Sequence, residues 1–487
     1  MKYLLFLLLV LGCATNKTQK ISALKPHTHE IVINSLPELI SNHQFDSDDV
    51  GFVLLDELGR VEISHNADQL FIPASTNKLF TAAAVVDAFK GHEQFATELR
   101  YEGILRQNEG LLDGNLYLVG GGDSTFNSHG MMNLLLALRR LGIKKVLGEF
   151  YFDDYALPRI ERIESSQDHT FPYNSGVSAL SYDFNQMSLF WNQDNDLLSY
   201  YFRPSLPSEQ QIILGEVVIN DDGNINYKDK TWVVSTDTNG KSSVRLPFKD
   251  TGMMSALALQ KMASDLGIEL PYPTRRKVSK QTKLITNHMS PTINKQIKDM
   301  LLFSNNVMAE SHLLLSSKKH GRVNDLRSAV EVQKKRFARI GLKVEGMHPI
   351  NGSGLAAASR FSPNSLIEIT RYLYKKTKGQ ILGQLPISGR DGTLRRRMTN
   401  PESAYKVWAK TGTMNYASCL AGYFLHNGQI KQFALMINDL EKRKVLDAEF
   451  DPIKKAQLLS VTGRWIRRAR NFQDDIFLHL VMNPNFN

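Results

Sequence analysis

Cysteine is almost missing, with two in 487 residues, Cys13 and Cys419. Small secreted folds that lack a core lean on several disulfides, so this chain must be held together by hydrophobic packing. Its 13 histidines form no His-Glu-x-x-His pattern, and no catalytic metal and no cofactor are expected. Lysine and arginine number 59 against 49 acidic residues, but they are scattered. No helix-turn-helix, finger or aromatic-basic signature accompanies them, which excludes nucleic acid and leaves solvation plus some affinity for an acidic polymer. Gly120-Gly121-Gly122 lacks the lysine and following helix of a phosphate cradle and reads as a tight turn. "NGSGL" is no nucleophile elbow, because Asn351 stands where glycine is needed. Neither an internal repeat nor a low-complexity tract occurs, and the apolar run at the start is too short to cross a bilayer.

That run is "MKYLLFLLLVLGCATNK". One lysine, about nine apolar residues and then small residues make the layout of a bacterial secretion signal. Residues 1–14 are therefore expected to be a leader and the protein to be periplasmic. Two endings compete. "VLGC" fits lipidation of Cys13, and Gly12-Cys13-Ala14 fits plain cleavage after Ala14. Lipidation is favoured, since a cysteine there has no other evident use, and it would be the only link to a membrane. Residues 15–37 are polar and suit a tether. Cys419 lies in an apolar stretch and reads as a core thiol.

The chain is too long for one core, so two or more domains are expected. "VGFVLLDEL" and "RVEISHNAD" read as a strand hairpin. From about Phe95 the pattern changes to short β-like runs with glycine-rich turns. Helical periodicity returns at "MMSALALQKMASDLGI" and runs through "INKQIKDMLLFSNNVMAESHLLLSS". Further on, "YKVWAKTGTM", "CLAGYFLHN" and "QFALMIND" read as three strands, followed by the helical "AEFDPIKKAQLLSVTGRWIRR". This order predicts an α/β domain made from both ends of the chain, residues 38–95 and 281–470, split by a β-rich insertion over 96–280. Residues 471–487 are expected to be a tail.

Three short patterns carry chemistry. In "IPASTNKLFTAAAV", Ser75 stands three residues before Lys78 and opens an apolar helix. A helix cap is the ordinary reading of such a serine. On a buried helix, however, residues i and i+3 share a face, and desolvation lowers a lysine's pKa until the amine can take a proton from a serine hydroxyl. The second pattern is Ser304 and Asn306 in "LLFSNNVMAE"; the third is Lys410-Thr411-Gly412-Thr413 in "WAKTGTMNYA". Alone, these read as a helix end and a strand end. In this order and together, they are the Ser-x-x-Lys, Ser-x-Asn and Lys-Thr-Gly set of penicillin-binding proteins and class A β-lactamases.

With these motifs the chain resembles the low-molecular-mass class C penicillin-binding proteins, the D-alanyl-D-alanine carboxypeptidases and endopeptidases of penicillin-binding protein 4 type. "GNLYLVGGGDSTF", "VSALSYDFNQ", "HMSPTINKQIKDMLLFSNNVMAE", "NGSGLAAASRFSP", "LPISGRDGTLRRRM" and "AKTGTMNYASCLAGY" follow in the family's order, over roughly residues 45 to 445. Ser75 and Ser304 are 229 positions apart, and so long an insertion is this family's hallmark. The stretch from Phe190 to Phe248 is short for the family's third domain.

The resemblance implies a penicillin-recognising, transpeptidase-like fold, an antiparallel sheet flanked by helices and split by a large inserted domain. It also implies roles. Ser75 is the nucleophile and neutral Lys78 its base; Ser304 relays the proton to the leaving amine, Asn306 fixes Lys78 and the substrate amide, and Lys410 adds positive field at Ser304 and helps keep Lys78 neutral. Thr411 and Thr413 take the substrate carboxylate, and Gly412 lets the substrate backbone approach. Backbone N–H groups of Ser75 and Thr413 form the oxyanion hole. Asp153 and Asp154 meet a cationic stem-peptide residue, in a pocket that Met414 helps to line; a surface strand end and a core methionine are the ordinary readings of these residues. The implied partners are peptidoglycan stem peptides, with β-lactams as covalent inhibitors. The family usually has Asp in place of Asn351 and often Ser-Arg in place of Ala356-Ala357, positions expected near the substrate channel. A β-lactamase, or an inert wall-binding lipoprotein with this fold, are the alternative functions.

Overall fold

In the strand Val50–Leu55 every residue is buried, although successive side chains point opposite ways: Phe52 and Leu54 enter one core, Val53 and Leu55 another. A strand covered on both faces needs a layer of helices on each side. The computed structural model has that arrangement, and it describes residues 35–194, 197–204, 216–220, 225–228, 231–235, 243–483 and 486. The leader, Cys13 and nearly all of the expected tether lie outside the described residues.

Five antiparallel strands form the central sheet, in the order Val407–Met414, Ala417–His426, Gln429–Asn438, Val50–Leu55, Val61–His65. The two ends of the chain meet at its middle, where Val50 pairs with Ile437 and Leu55 with Gln432. On one face lie the helices Lys78–Ala88, Ile293–Phe303, Asn306–Lys318, Leu326–Arg339 and Pro363–Lys376. Lys78–Ala88 is buried from Lys78 to Val85 and so runs through the centre of that layer.

The opposite face is covered by the helices Leu36–Asn42 and Pro452–Met482. The second of these corrects two expectations. Residues 471–482 are not a tail but continue the helix, and Trp465, Ala469, Phe472, Ile476 and Phe477 pack against the sheet. The helix predicted from Ala448 onward starts at Pro452 instead, after a separate helix, Leu440–Ala448, that the sequence reading did not include. Asp451 caps the new start by accepting the Ile453 and Lys454 N–H groups, with Pro452 at the first turn where its missing N–H costs nothing. At the other end, Ser35 caps Leu36–Asn42, so the expected tether becomes helix before residue 37.

The inserted segment has a mixed sheet of its own, in the order Thr274–Arg275, Phe150–Asp153, Leu111–Gly120, Ala96–Arg106, Lys283–Met289, with the helices Ser128–Arg140 and Thr251–Asp265 packed on its core. Lys283–Met289 pairs antiparallel with Ala96–Arg106, so the insertion ends near residue 289 rather than 280. Its first and last long strands are neighbours, and the chain leaves and returns at one point. There the Phe95 N–H donates to the Ser290 hydroxyl and the Ser290 N–H to the Phe95 carbonyl, both at 2.9 Å. Entry and exit so close together let the outer halves fold as if contiguous. Between Gln186 and Pro247, where a shortened third domain is expected from the resemblance, the described residues include two further three-stranded sheets.

Candidate active site

Ser75 lies in the 3-10 turn Ala74–Asn77 that leads into the helix Lys78–Ala88. In the run Phe71–Val85 it alone is partly exposed. Ala74, just before it, is held at φ 46°, a left-handed conformation that a residue with a Cβ adopts only at a cost. That turn aims the hydroxyl into a cavity of about 440 Å³ that is also lined by Ser304, Thr411, Gly412, Thr413 and Arg470.

The Lys78 amine is buried and has three neighbours: Ser75 Oγ at 3.0 Å, Asn306 Oδ1 at 2.8 Å and the Ser353 carbonyl at 2.9 Å. The last two can only accept. A neutral amine uses its two hydrogens on them and turns its lone pair to Ser75, whose hydroxyl then donates. Burial favours that state, taking the Lys78 pKa from 10.5 down to about 7 against the opposing charge of Glu310.

Ser304 and Asn306 are positioned by a break that periodicity did not reveal. The predicted continuous helix is two helices, Ile293–Phe303 and Asn306–Lys318. Ser304 ends the first in a left-handed conformation (φ 56°, ψ 36°), and Asn305 caps the second by accepting the Met308 N–H at 3.0 Å. Asn306, the first helical residue, points its carbonyl at Lys78 and donates its amide N–H to the Tyr173 carbonyl of the insertion at 3.0 Å. Across the cavity, buried Lys410 donates to Ser304 Oγ at 3.0 Å and to the Thr411 carbonyl at 2.7 Å. Its pKa is also lowered, by burial first and then by Lys78. At Lys78 the dominant cause is burial, and the neighbouring charge acting on it is that of Glu310. The repulsion that lowers the Lys410 pKa is mutual, so the two buried amines disfavour each other's protonation.

The strand Val407–Met414 lies directly against the nucleophile turn. A Cβ on Gly412 would stand 2.4 Å from the Pro73 carbonyl oxygen and 3.1 Å from the Ser75 nitrogen, so only glycine permits this approach. The expected close contact at residue 412 is thus made by the protein's own backbone. Thr411 donates to the Thr393 hydroxyl at 2.8 Å, and Arg470 donates to the Thr413 hydroxyl at 3.3 Å. Cys419, at the cavity floor, is a buried thiol that donates to the Ile72 carbonyl, its pKa pushed up to about 12 by burial.

Two expected site residues are not brought to Ser75. Asp154 is buried, its carboxylate accepts from Arg275 Nε at 3.1 Å, and it lines a different cavity. One oxygen is thus engaged by Arg275, which the short strand Thr274–Arg275 brings beside Phe152, while the other has no hydrogen-bond partner among the described residues and burial raises the carboxyl's pKa. Met414 is half-buried at the strand end and does not line the Ser75 cavity. Asn351, expected near the substrate channel, is buried in structure: its carbonyl accepts from Asn77 Nδ2 at 2.7 Å and its side chain from the Gly354 N–H at 2.9 Å.

Glu310 was missed by sequence reasoning. It is buried and accepts the Gly352 N–H at 2.7 Å and the Ser353 N–H at 2.8 Å, thereby holding the carbonyl of residue 353 toward Lys78. Each such buried N–H left unmet costs about 1–3 kcal/mol. The available signal was its place four residues after Asn306, on the same helix face. Arg470 was missed because the predicted catalytic domain was closed at that residue.

A hydroxyl and an amine whose pKa burial lowers toward neutrality, one helical turn apart, with a second serine–lysine contact across the same cavity and a five-stranded antiparallel sheet between helical layers, define a serine acyl-transfer enzyme of the penicillin-recognising class. The chain belongs to the D-Ala-D-Ala carboxypeptidase 3 (S13) family, whose sequence profile matches residues 33–457, and is thus a serine DD-peptidase. It is 25% identical to the D-alanyl-D-alanine carboxypeptidase DacB of Haemophilus influenzae over 430 residues, 82% of this chain and 88% of the relative. The D-alanyl-D-alanine carboxypeptidase of Actinomadura sp. (strain R39) is 22% identical over 412 residues, 77% of this chain and 74% of that one. The fold is similar to the crystal structure of penicillin binding protein 4 (dacB) from Haemophilus influenzae, with a TM-score of 0.74 at 22% identity, covering 91% of this chain and 99% of the other.

Proposed function

We propose that the Ser75 centre releases the terminal D-alanine of peptidoglycan stem peptides, the carboxypeptidase activity for which the family and both relatives are named. Ser75 attacks the carbonyl of the penultimate D-alanine, Lys78 receives its proton, and an acyl-enzyme forms as the amine leaves. Ser304, held by Lys410, returns a proton to that amine, Asn306 keeps Lys78 in place and holds the substrate amide, and Thr411 and Thr413 take the terminal carboxylate. Water then hydrolyses the ester. The 3.0 Å contact between Ser75 Oγ and the Lys78 amine carries this reading.

Penicillins enter the same path as far as the acyl-enzyme. Among the described residues lining the cavity none is Asp or Glu, and both Glu310 oxygens already accept backbone N–H groups. This supports slow release of the penicilloyl group and favours a peptidase over a β-lactamase. Purified protein incubated separately with pentapeptide and cross-linked muropeptide dimers is expected to free D-alanine from the pentapeptide and to keep a fluorescent penicillin through denaturing electrophoresis. No D-alanine and no stable label would refute the reading. Cleavage of dimers would add endopeptidase activity through the same acyl-enzyme.

The same proposal includes export and lipidation at Cys13, supported by the "VLGC" leader. In cells grown with radioactive palmitate, the protein is expected to carry label and the Cys13→Ser variant none; equal labelling would exclude an anchor there.

A further inference from the structure

We propose that Arg470, on the C-terminal helix, recognises the carboxylate next to the scissile amide and makes a free carboxylate a condition of rapid turnover. This rests on the peptidase reading above. Arg470 lies beyond residue 457, where the match to the family profile ends, so the helix Pro452–Met482 brings a guanidinium to the cavity that the matched segment does not contain.

Three arginines line that cavity, Arg396, Arg397 and Arg470, and they are not equivalent. Arg397 is committed to the helix. It makes a two-pronged contact with Asp474 at 2.6–3.1 Å and donates to the Arg470 carbonyl and to Gln473 Oε1, each at 3.0 Å. These bonds fix the helical turn that carries residue 470. Arg470 itself makes no ion pair among the described residues; it donates to the Thr413 hydroxyl at 3.3 Å and is open to solvent. Burial of part of its side chain and the neighbouring Arg397 charge both oppose its positive charge, with Asp474 compensating in part. An anion bound beside Thr413 would relieve that repulsion.

The chemistry of the substrate supplies such an anion. In a D-alanyl-D-alanine terminus the carboxylate is one carbon from the nitrogen of the bond to be cut, so a scissile carbonyl at Ser75 places the carboxylate near Thr411 and Thr413. Their hydroxyls are neutral donors. A guanidinium adds a charge-assisted, fork-shaped contact matched to a planar carboxylate. An uncharged carboxamide forfeits it.

The test compares an acyl-D-alanyl-D-alanine peptide with its C-terminal carboxamide, at high enzyme concentration for the slower substrate, in wild type, Arg470→Gln and Arg470→Lys. Loss of one charge-assisted contact corresponds to about a 10- to 100-fold fall in kcat/KM for the free acid, mainly through KM. Arg470→Gln is expected to show that fall with carboxamide turnover changed less than about threefold, and Arg470→Lys to recover part of it. Melting temperatures should be alike, because the side chain is exposed. Equal losses on both substrates would mean a structural role, and no loss on either would mean no role; each overturns the assignment. If wild type turns over neither peptide, the peptidase reading fails first and takes this inference with it.

Discussion

Ser75→Ala is expected to abolish covalent labelling by penicillin and to lower D-alanine release by about 10⁴- to 10⁶-fold, the loss typical when a nucleophile is removed from an enzyme whose binding groups stay intact. Thr411, Thr413 and the surrounding backbone do not depend on the hydroxyl, so the variant should still bind peptide. Among the described residues the Ser75 hydroxyl makes no hydrogen bond apart from the one to Lys78, and the melting temperature should change little. A variant that still forms a penicilloyl ester would place the nucleophile elsewhere. Ser304 would be the candidate, since it faces the same cavity and contacts a buried lysine of its own.

The second large effect follows Lys78→Met, which keeps the length of the side chain and removes the base. General-base catalysis contributes about 10²- to 10⁴-fold, and acylation by both penicillin and peptide should fall within that range. Because methionine cannot serve the Asn306 and Ser353 carbonyls, some stability is lost too, and the folded fraction must be measured alongside the rate. The signature that separates lost chemistry from lost structure is an acylation rate that no longer varies with pH around neutrality while the protein remains folded.

The Ser75–Lys78 pair was legible in the sequence because i and i+3 on an apolar helix must share a face, and the helix is apolar enough to be buried. Likewise, the strands at Val50–Leu55 and from Val407 onward stand out through continuous apolar runs between turns. The break at Ser304 did not stand out, because its periodic apolar positions continue on either side, and the left-handed turn with its Asn305 cap leaves only turn-forming residues as a trace. Glu310 looked like any helical glutamate, and nothing local told that a loop 42 residues later would present two N–H groups to it. Asp154 was expected to meet substrate from the resemblance alone, and its contact with Arg275 was not legible because that residue is 121 positions away and reaches it only through the inserted sheet. The C-terminal helix was readable in principle. Trp465, Ala469, Phe472, Ile476 and Leu480 recur at helical spacing, but the helical reading was carried only to Arg468.

The pH dependence of acylation tests the neutral lysine most directly. An ordinary lysine at 10.5 has roughly three amines in ten thousand neutral at pH 7, whereas one at about 7 has about half. Below its pKa the amine is protonated and cannot accept the serine proton, so the rate must rise with pH and level off once the amine is neutral. Stopped-flow acylation of the wild type by a fluorescent penicillin from pH 5 to 10 is predicted to show one rising limb with a midpoint near 7 and a plateau above it. A rate still climbing tenfold per unit between pH 8 and 10 would mean a charged Lys78 and contradict the account.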